Sequence, residues 1–131
     1  MKLRTASCSC GQLTATTRGE PFRISVCHCL ACQRRSGSVF AAQARFLVDA
    51  VQIQGQASQY SRVGDEGGKC TFSFCPNCGA IVHFAAEGDN TSIAIPVGAF
   101  ADPTFPTPTV SVYEERMHSW VSMPANIEHI F

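Results

Sequence analysis

Seven of the eight cysteines fall into three tight groups, and their spacing constrains this chain more than any other feature. The groups are Cys8-Ser9-Cys10-Gly11, Cys27-His28-Cys29-Leu30-Ala31-Cys32 and Cys75-Pro76-Asn77-Cys78-Gly79, with Cys70 left over. Two cysteines separated by one or two residues and followed by glycine match a metal knuckle. The two thiolates chelate one ion, and the glycine accepts the left-handed turn that aims backbone N–H groups at the sulfurs. Cysteines this close bridge one another poorly, so disulfides would have to run between groups.

The context argues against such bridges. The first residues, Met1-Lys2-Leu3-Arg4-Thr5-Ala6-Ser7, hold no apolar run of the kind that begins a secretory signal. The longest apolar runs are far shorter than a membrane span. The expectation is a cytoplasmic chain whose thiols stay reduced, and reduced cysteine clusters point to metal or thiol chemistry. Lys and Arg together number 10, as do Asp and Glu, so the net charge is zero. That balance gives no electrostatic reason to expect nucleic acid or an anionic membrane as partner. At 131 residues the chain is expected to form one zinc-binding domain, residues 1–131. A core of that size gains from a metal staple.

Short strands dominate the hydrophobic pattern. Phe22–Val26 and Cys70–Phe74 alternate apolar and polar residues, which places Cys70 on the face of Phe72 and Phe74. Ser38–Leu47, Val51–Tyr60, Ala80–Phe84, Ser92–Ile95 and Thr109–Tyr113 read as further strands, with turns at Glu87–Asn90 and Gly64–Gly68. The only helix expected is Leu30–Ser36, stopped by Gly37. Pro103, Pro106 and Pro108 mark an irregular segment. The fold class is mainly β: antiparallel sheets in one domain, with metal knuckles at hairpin ends.

Structural zinc sites close on four protein ligands, whereas catalytic ones keep a position open. Cys8, Cys10, Cys75 and Cys78 together make a closed four-cysteine site. Cys27, Cys29 and Cys32 remain as a trio. Either an outside molecule completes that trio, or Cys70 or His28 seals it and the site is structural. Sulfur ligands suit zinc, iron and iron–sulfur clusters alike. The spacing lacks a ferredoxin pattern, which favours zinc, two ions per chain. A lone cysteine such as Cys70, in register with aromatic residues, is most often a small buried hydrophobe.

The order Cys-x-Cys-Gly, Cys-His-Cys-x-x-Cys-Gln and Phe-Cys-x-x-Cys-Gly resembles the glutathione-dependent formaldehyde-activating enzyme family, to which centromere protein V also belongs. The matching stretches here are Cys8–Gly11, Cys27–Gln33 and Phe74–Gly79, supported by Gly37-Ser38, Phe40 and Trp120-Val121. The resemblance implies a β-tent fold of antiparallel sheets around a structural zinc on Cys8, Cys10, Cys75 and Cys78. It implies a second, catalytic zinc on Cys27, Cys29 and Cys32. The implied activity is that of a carbon–sulfur lyase joining glutathione to formaldehyde, an S-(hydroxymethyl)glutathione synthase.

Three thiolates make a zinc ion a mild Lewis acid, suited to a soft sulfur ligand from outside. The trio is therefore expected to take a substrate thiol, such as glutathione, lower its pKa and present it to a small aldehyde. An open trio is also prone to lose its ion or oxidise. His28 titrates in the range a proton transfer needs, but a ring that points outward or bonds the backbone is the plainer reading. Gln33 could bond an aldehyde oxygen or cap a turn. Arg34 and Arg35 could grip substrate carboxylates, or only complement a helix end. Phe40 could line the pocket or pack in the core. Trp120 reads as a packing anchor. His118 and His129 have no ligand spacing with anything nearby. The competing reading is a non-catalytic zinc module for protein interaction, with both metals structural. Oligomerisation stays open on sequence grounds.

Overall fold

The computed structural model describes residues 1–64 and 67–130. Among the described residues, eleven strands and one α-helix follow in chain order: β1 (Leu3–Ser7), β2 (Thr14–Arg18), β3 (Arg23–Cys27), α1 (Leu30–Ser36), β4 (Ala41–Leu47), β5 (Val51–Gln54), β6 (Ser58–Val63), β7 (Lys69–Phe74), β8 (Ile81–Ala86), β9 (Ser92–Pro96), β10 (Val110–Val112) and β11 (Glu128–Ile130). The chain is mainly β, as expected. No helix among the described residues is long and apolar enough to cross a membrane.

The strands form two sheets. One has three strands in the order β1-β2-β5, all antiparallel. The other has eight in the order β11-β10-β3-β4-β9-β8-β7-β6. Antiparallel pairing holds from β3 to β6, but β10 runs parallel to both β3 and β11. The large sheet is thus mixed, while the small one is purely antiparallel. The cause lies in the proline-bearing segment after β9. A hairpin would have returned the chain antiparallel. Instead this long connection leads Val110 in beside Ser25.

Strand alternation divides the large sheet into two faces. Ile24, Ala44, Phe46, Val82 and Ile95 point toward the small sheet and meet its Ala6, Leu13 and Ala15. Phe46, Leu13, Ile95 and Val82 are among the largest fully buried side chains, and such burial stabilises by about 1.5–3 kcal/mol per large apolar side chain. Cys8 and Cys75 belong to the same core. Arg23, Ser25 and Cys27 of β3 alternate with these residues and face the other way. So do Ala41, Gln43 and Arg45 of β4, as the register requires. Phe72, Phe84 and Ala94 continue that outer face.

The helix matches its expected span. Gly37 ends it in the left-handed region (φ 74°), donating its N–H to the Gln33 carbonyl. The strand expected over Val51–Tyr60 is two strands in different sheets. The chain leaves the small sheet at Gly55 (φ 103°) and enters the large one at Ser58. A Cβ on Gly55 would lie 2.0 Å from the Gln12 carbonyl oxygen. Only glycine fits this crossing, because the Gln12–Leu13 backbone leading into the neighbouring strand β2 passes close by. Of the turn expected at Gly64–Gly68, Asp65 and Glu66 lie outside the described residues, while Gly64 N–H donates to the Gly68 carbonyl.

Gly55→Ala therefore adds a backbone clash to an unfavourable φ. Chemical denaturation should show a loss of more than about 1 kcal/mol, against the small gain that Gly→Ala brings at a permissive site. A midpoint equal to that of the wild type would contradict this account of the crossing.

Candidate metal centres

The four-cysteine group is built from two matching knuckles. After β1, Cys8 N–H donates to the Leu13 carbonyl (3.0 Å), and Gly11 N–H to the Cys8 carbonyl (3.2 Å). After β7, Cys75 N–H donates to the Ala80 carbonyl (3.0 Å), and Gly79 N–H to the Cys75 carbonyl (2.8 Å). Gly11 and Gly79 both hold positive φ, 87° and 81°. Backbone N–H groups of Leu13 and Asn77 point at Cys8 and Cys75 sulfurs, each at 3.3 Å. All eight cysteines are free thiols.

The sulfur spacing tests the fit of a metal. Cys8 Sγ lies 3.7 Å from Cys10 Sγ, which lies 3.6 Å from Cys75 Sγ. Four sulfurs about 2.3 Å from one zinc ion stand about 3.8 Å apart at the corners of a tetrahedron. The observed edges match that figure and are far longer than a disulfide. Cys8, Cys10, Cys75 and Cys78 hold all four Sγ atoms within 4.8 Å of one another. Gln12, which the cysteine spacing does not single out, ties this group to the sheet crossing. Its Nε2 donates to Cys75 Sγ (3.0 Å) and the Gln56 carbonyl (2.7 Å), and its Oε1 accepts from Gln56 N–H (2.9 Å).

Cys27, Cys29 and Cys32 also lie within 4.8 Å of one another. Cys27 ends β3. The Cys29 sulfur caps α1, accepting from Cys32 N–H (3.3 Å). Cys27 and Cys32 are buried, and Cys29 is half-buried. The thiol charge is shared unequally. Cys32 is held down to about 4, first by the hydrogen bond from the Cys27 thiol, then with help from Cys29, Arg62 and Arg35 against the cost of burial. Cys27 is pushed far up, chiefly by that bond to Cys32 and then by burial. One thiolate forms readily here, and a cation is needed before all three do.

Neither expected sealing group completes the trio. Cys70 lies outside the cluster. It is half-buried against Phe72 and Phe84, and burial pushes its thiol up. That is the behaviour of a small hydrophobe. His28 is fully buried and turned away from the sulfurs, with Nε2 3.0 Å from Ser111 Oγ and its ring 6.0 Å from that of Phe40. Burial lowers its pKa, so the ring stays neutral near pH 7. Phe40 is half-buried against His28.

Gln33 is a clasp rather than a free amide. Its Nε2 donates to the His28 carbonyl (2.8 Å) and the Arg116 carbonyl (3.2 Å), and its Oε1 meets His118 Nε2 at 3.0 Å. His118 thus has a partner that no local spacing announces. Arg34 is exposed. Arg35 instead lies over the Phe72 and Phe84 rings, at 4.8 and 4.9 Å from their centroids. Arg62 of β6 reaches the trio from the opposite side, with Nη2 3.9 Å from Cys32 Sγ. Trp120 does not anchor packing: it is 72% exposed, edge-on to His118, in an irregular segment that no sheet face covers.

A metal held by Cys8, Cys10, Cys75 and Cys78 would join the two sheets, because β1 and β7 belong to different ones. Cys75→Ser should then cost several kcal/mol, against the roughly 10–16 kcal/mol that zinc supplies to small zinc-dependent peptides. Chelation should lower the melting temperature of the wild type toward that of the variant. Identical melting with and without chelator would remove the structural role of this group.

A solved Rhodobacter sphaeroides protein shares the fold, with a TM-score of 0.57 at 19% identity over 76% of this chain and 91% of that one. Among curated proteins nothing matches. The sequence profile described as glutathione-dependent formaldehyde-activating enzyme matches residues 3–116, and the chain belongs to that family.

Proposed function

We propose that this protein is a cytoplasmic zinc-dependent carbon–sulfur lyase that makes or breaks the adduct of a thiol and a small aldehyde, with S-(hydroxymethyl)glutathione as its model substrate. The observation that carries the reading is the trio. Three cysteine sulfurs stand within metal-binding range, and no other histidine, cysteine or carboxylate among the described residues joins them. Three protein ligands with a position left for substrate is the catalytic arrangement of zinc, whereas a fourth protein ligand closes a structural site.

Cys27, Cys29 and Cys32 would hold the second ion, and Cys8, Cys10, Cys75 and Cys78 the structural one. When bound, the second ion supplies a site that acidifies an incoming thiol near neutral pH. Synthesis forms one carbon–sulfur bond: the thiolate sulfur attacks the carbonyl carbon, the π pair moves to oxygen, and oxygen takes a proton. Cleavage reverses each of these movements. The chain holds its sulfurs in place for this chemistry. The Cys29 cap fixes the start of α1, and Arg62 donates to Cys32. Phe72 and Phe84, buried with Ala94, carry the Arg35 guanidinium on their rings. Gln33 and His28 serve as positioning residues, holding the cysteine loop against β10 and the turn at Glu114–Arg116.

The test separates the enzyme from a zinc module. Cys29→Ser should lower formaldehyde release from S-(hydroxymethyl)glutathione by about a hundredfold or more, since even the partners of zinc ligands are worth about 10–100-fold. Zinc content should fall by one ion per chain while the fold persists. Full turnover in that variant would end the catalytic role of the trio.

A further inference from the structure

The segment that follows β10 reaches the loop between Cys27 and Cys29 through a run of polar side chains. Tyr113 leaves the strand with φ 59° and ψ 42°, a left-handed conformation that a bulky residue rarely takes. Such strain persists only where the surrounding contacts hold it. The turn returns the Glu114 carboxyl to Ser111 on β10. That carboxyl is held below its usual range first by the Ser111 hydroxyl, against the cost of burial, and then by His129. Ser111 is fully buried, and the Glu114 side chain is 11% exposed. His129 Nδ1 lies 2.7 Å from Glu114 Oε2. On the other side, Ser111 Oγ meets His28 Nε2 at 3.0 Å. Contacts thus run without a break from β11 to the residue between two metal ligands.

This run has a direction. A hydroxyl beside a carboxylate turns its proton toward the negative charge, so Ser111 Oγ is left to accept from His28 Nε2–H. That fixes the His28 tautomer and leaves Nδ1 as a bare acceptor. Nδ1 is buried with no hydrogen-bond partner among the described residues. An unpaired buried acceptor is costly, so Ser111 and Glu114 hold the ring where its own surroundings would not. The backbone of His28 is gripped as well. Its N–H donates to the Val112 carbonyl (3.1 Å), and its carbonyl accepts from Gln33 Nε2 (2.8 Å). Gln33 is held in turn by His118 Nε2, 3.0 Å from its Oε1. His118 and His129 both follow residue 116, the last that the family profile matches. Buried Val121 and Ile127 seat this segment, and β11 sets His129 beside Ser111 in parallel register.

We propose that Ser111, Glu114, His118 and His129 are positioning residues for the trio: acting through His28 and Gln33, they lock the Cys27–Cys32 loop and so set how slowly a bound ion leaves it. The inference rests on reading the trio as an ion site, and not on the reaction run there. A site of three cysteines lacks the fourth protein arm that closes the other group. An ion escapes when one sulfur swings away from it. A loop gripped at the ring, the N–H and the carbonyl of its central residue makes that swing rarer. Partners that orient metal ligands in this way are worth about 10–100-fold in metal affinity. Glu114 and His129 touch no sulfur, so their effect on the ion passes through the loop alone.

The test follows zinc transfer from the zinc-loaded full chain to an excess of the metallochromic dye pyridylazoresorcinol. The wild type should release two ions in separate phases, the trio's being the faster. His129→Ala and Glu114→Gln should each speed that phase about tenfold or more and leave the slower phase unchanged. His129→Asn, which keeps a donor toward Glu114, should restore most of the retention. Arg18→Gln, on the small sheet, should release both ions as the wild type does. With cobalt in place of zinc, the visible absorption of the trio should shift in Glu114→Gln and His129→Ala, and return to the wild-type form in His129→Asn. His129 lies on the exposed edge strand β11, so its variants keep the test valid if Glu114→Gln fails to fold. Wild-type release and spectra in the His129→Ala variant would overturn the proposal, as would equal acceleration of both phases. One ion per wild-type chain would remove the trio as an ion site, and this proposal with it. A locked second ion without turnover would refute the lyase reading and leave the lock standing.

Discussion

The close approach of cysteine sulfurs is the constraint on which the rest of the structure depends. Edges of 3.6 and 3.7 Å between sulfurs suit thiolates around a common cation and would cost repulsion without one. The four-cysteine group links positions 65 residues apart, from Cys10 to Cys75. Closing so long a loop costs entropy, but the cost grows only with the logarithm of length. The core beneath it is built largely of small residues: Ala6, Ala15 and Ala44 sit between the sheets with Leu13, Ile95 and Phe46. Such a core gains from a link that does not rely on apolar area. Gln12 extends that link, since one amide touches both Cys75 and the crossing at Gln56.

What could be read from the sequence was what local chemistry decides. The knuckles, the helix over Leu30–Ser36 and its Gly37 stop each depend on residues a few positions apart. The strands with large alternating side chains, such as β3 and β7, were equally plain. The small sheet was not. Leu3–Ser7 buries only Ala6, and Thr14–Arg18 buries Ala15 and Thr17, so neither strand shows the contrast that marks an amphipathic run. The break inside Val51–Tyr60 depends on a contact between Gly55 and Gln12, 43 positions away, which no local pattern announces. The parallel setting of β10 likewise comes from a long connection rather than from its own three residues.

The two cysteine groups differed in legibility for the same reason. Both ligand sets are visible as spacing, but their surroundings are assembled from distant strands. Arg62 lies 30 positions from Cys32 and reaches it only because β6 pairs with β7 at the far edge of the sheet. Arg45 reads as one polar position in an alternating strand. Its meaning emerges when the register sets it opposite Arg23. His28 was the opposite case. Its place between two ligands suggests chemistry, but alternation turns it to the face opposite Cys27, where Ser111 receives it.

The asymmetry of the trio follows from these surroundings. On one side the loop is pinned. His28 N–H donates to the Val112 carbonyl (3.1 Å), Gln33 bonds the carbonyls of His28 and Arg116, and Glu114 accepts from His129 (2.7 Å) where the last strand closes the edge. On the other side two arginines face Cys32. N–H donors to a thiolate draw charge from the sulfur, so Cys32 would give less electron density to a bound ion than Cys27. An ion held by a ligand set weakened on one sulfur would bind an external thiolate more strongly than one held by three equivalent thiolates.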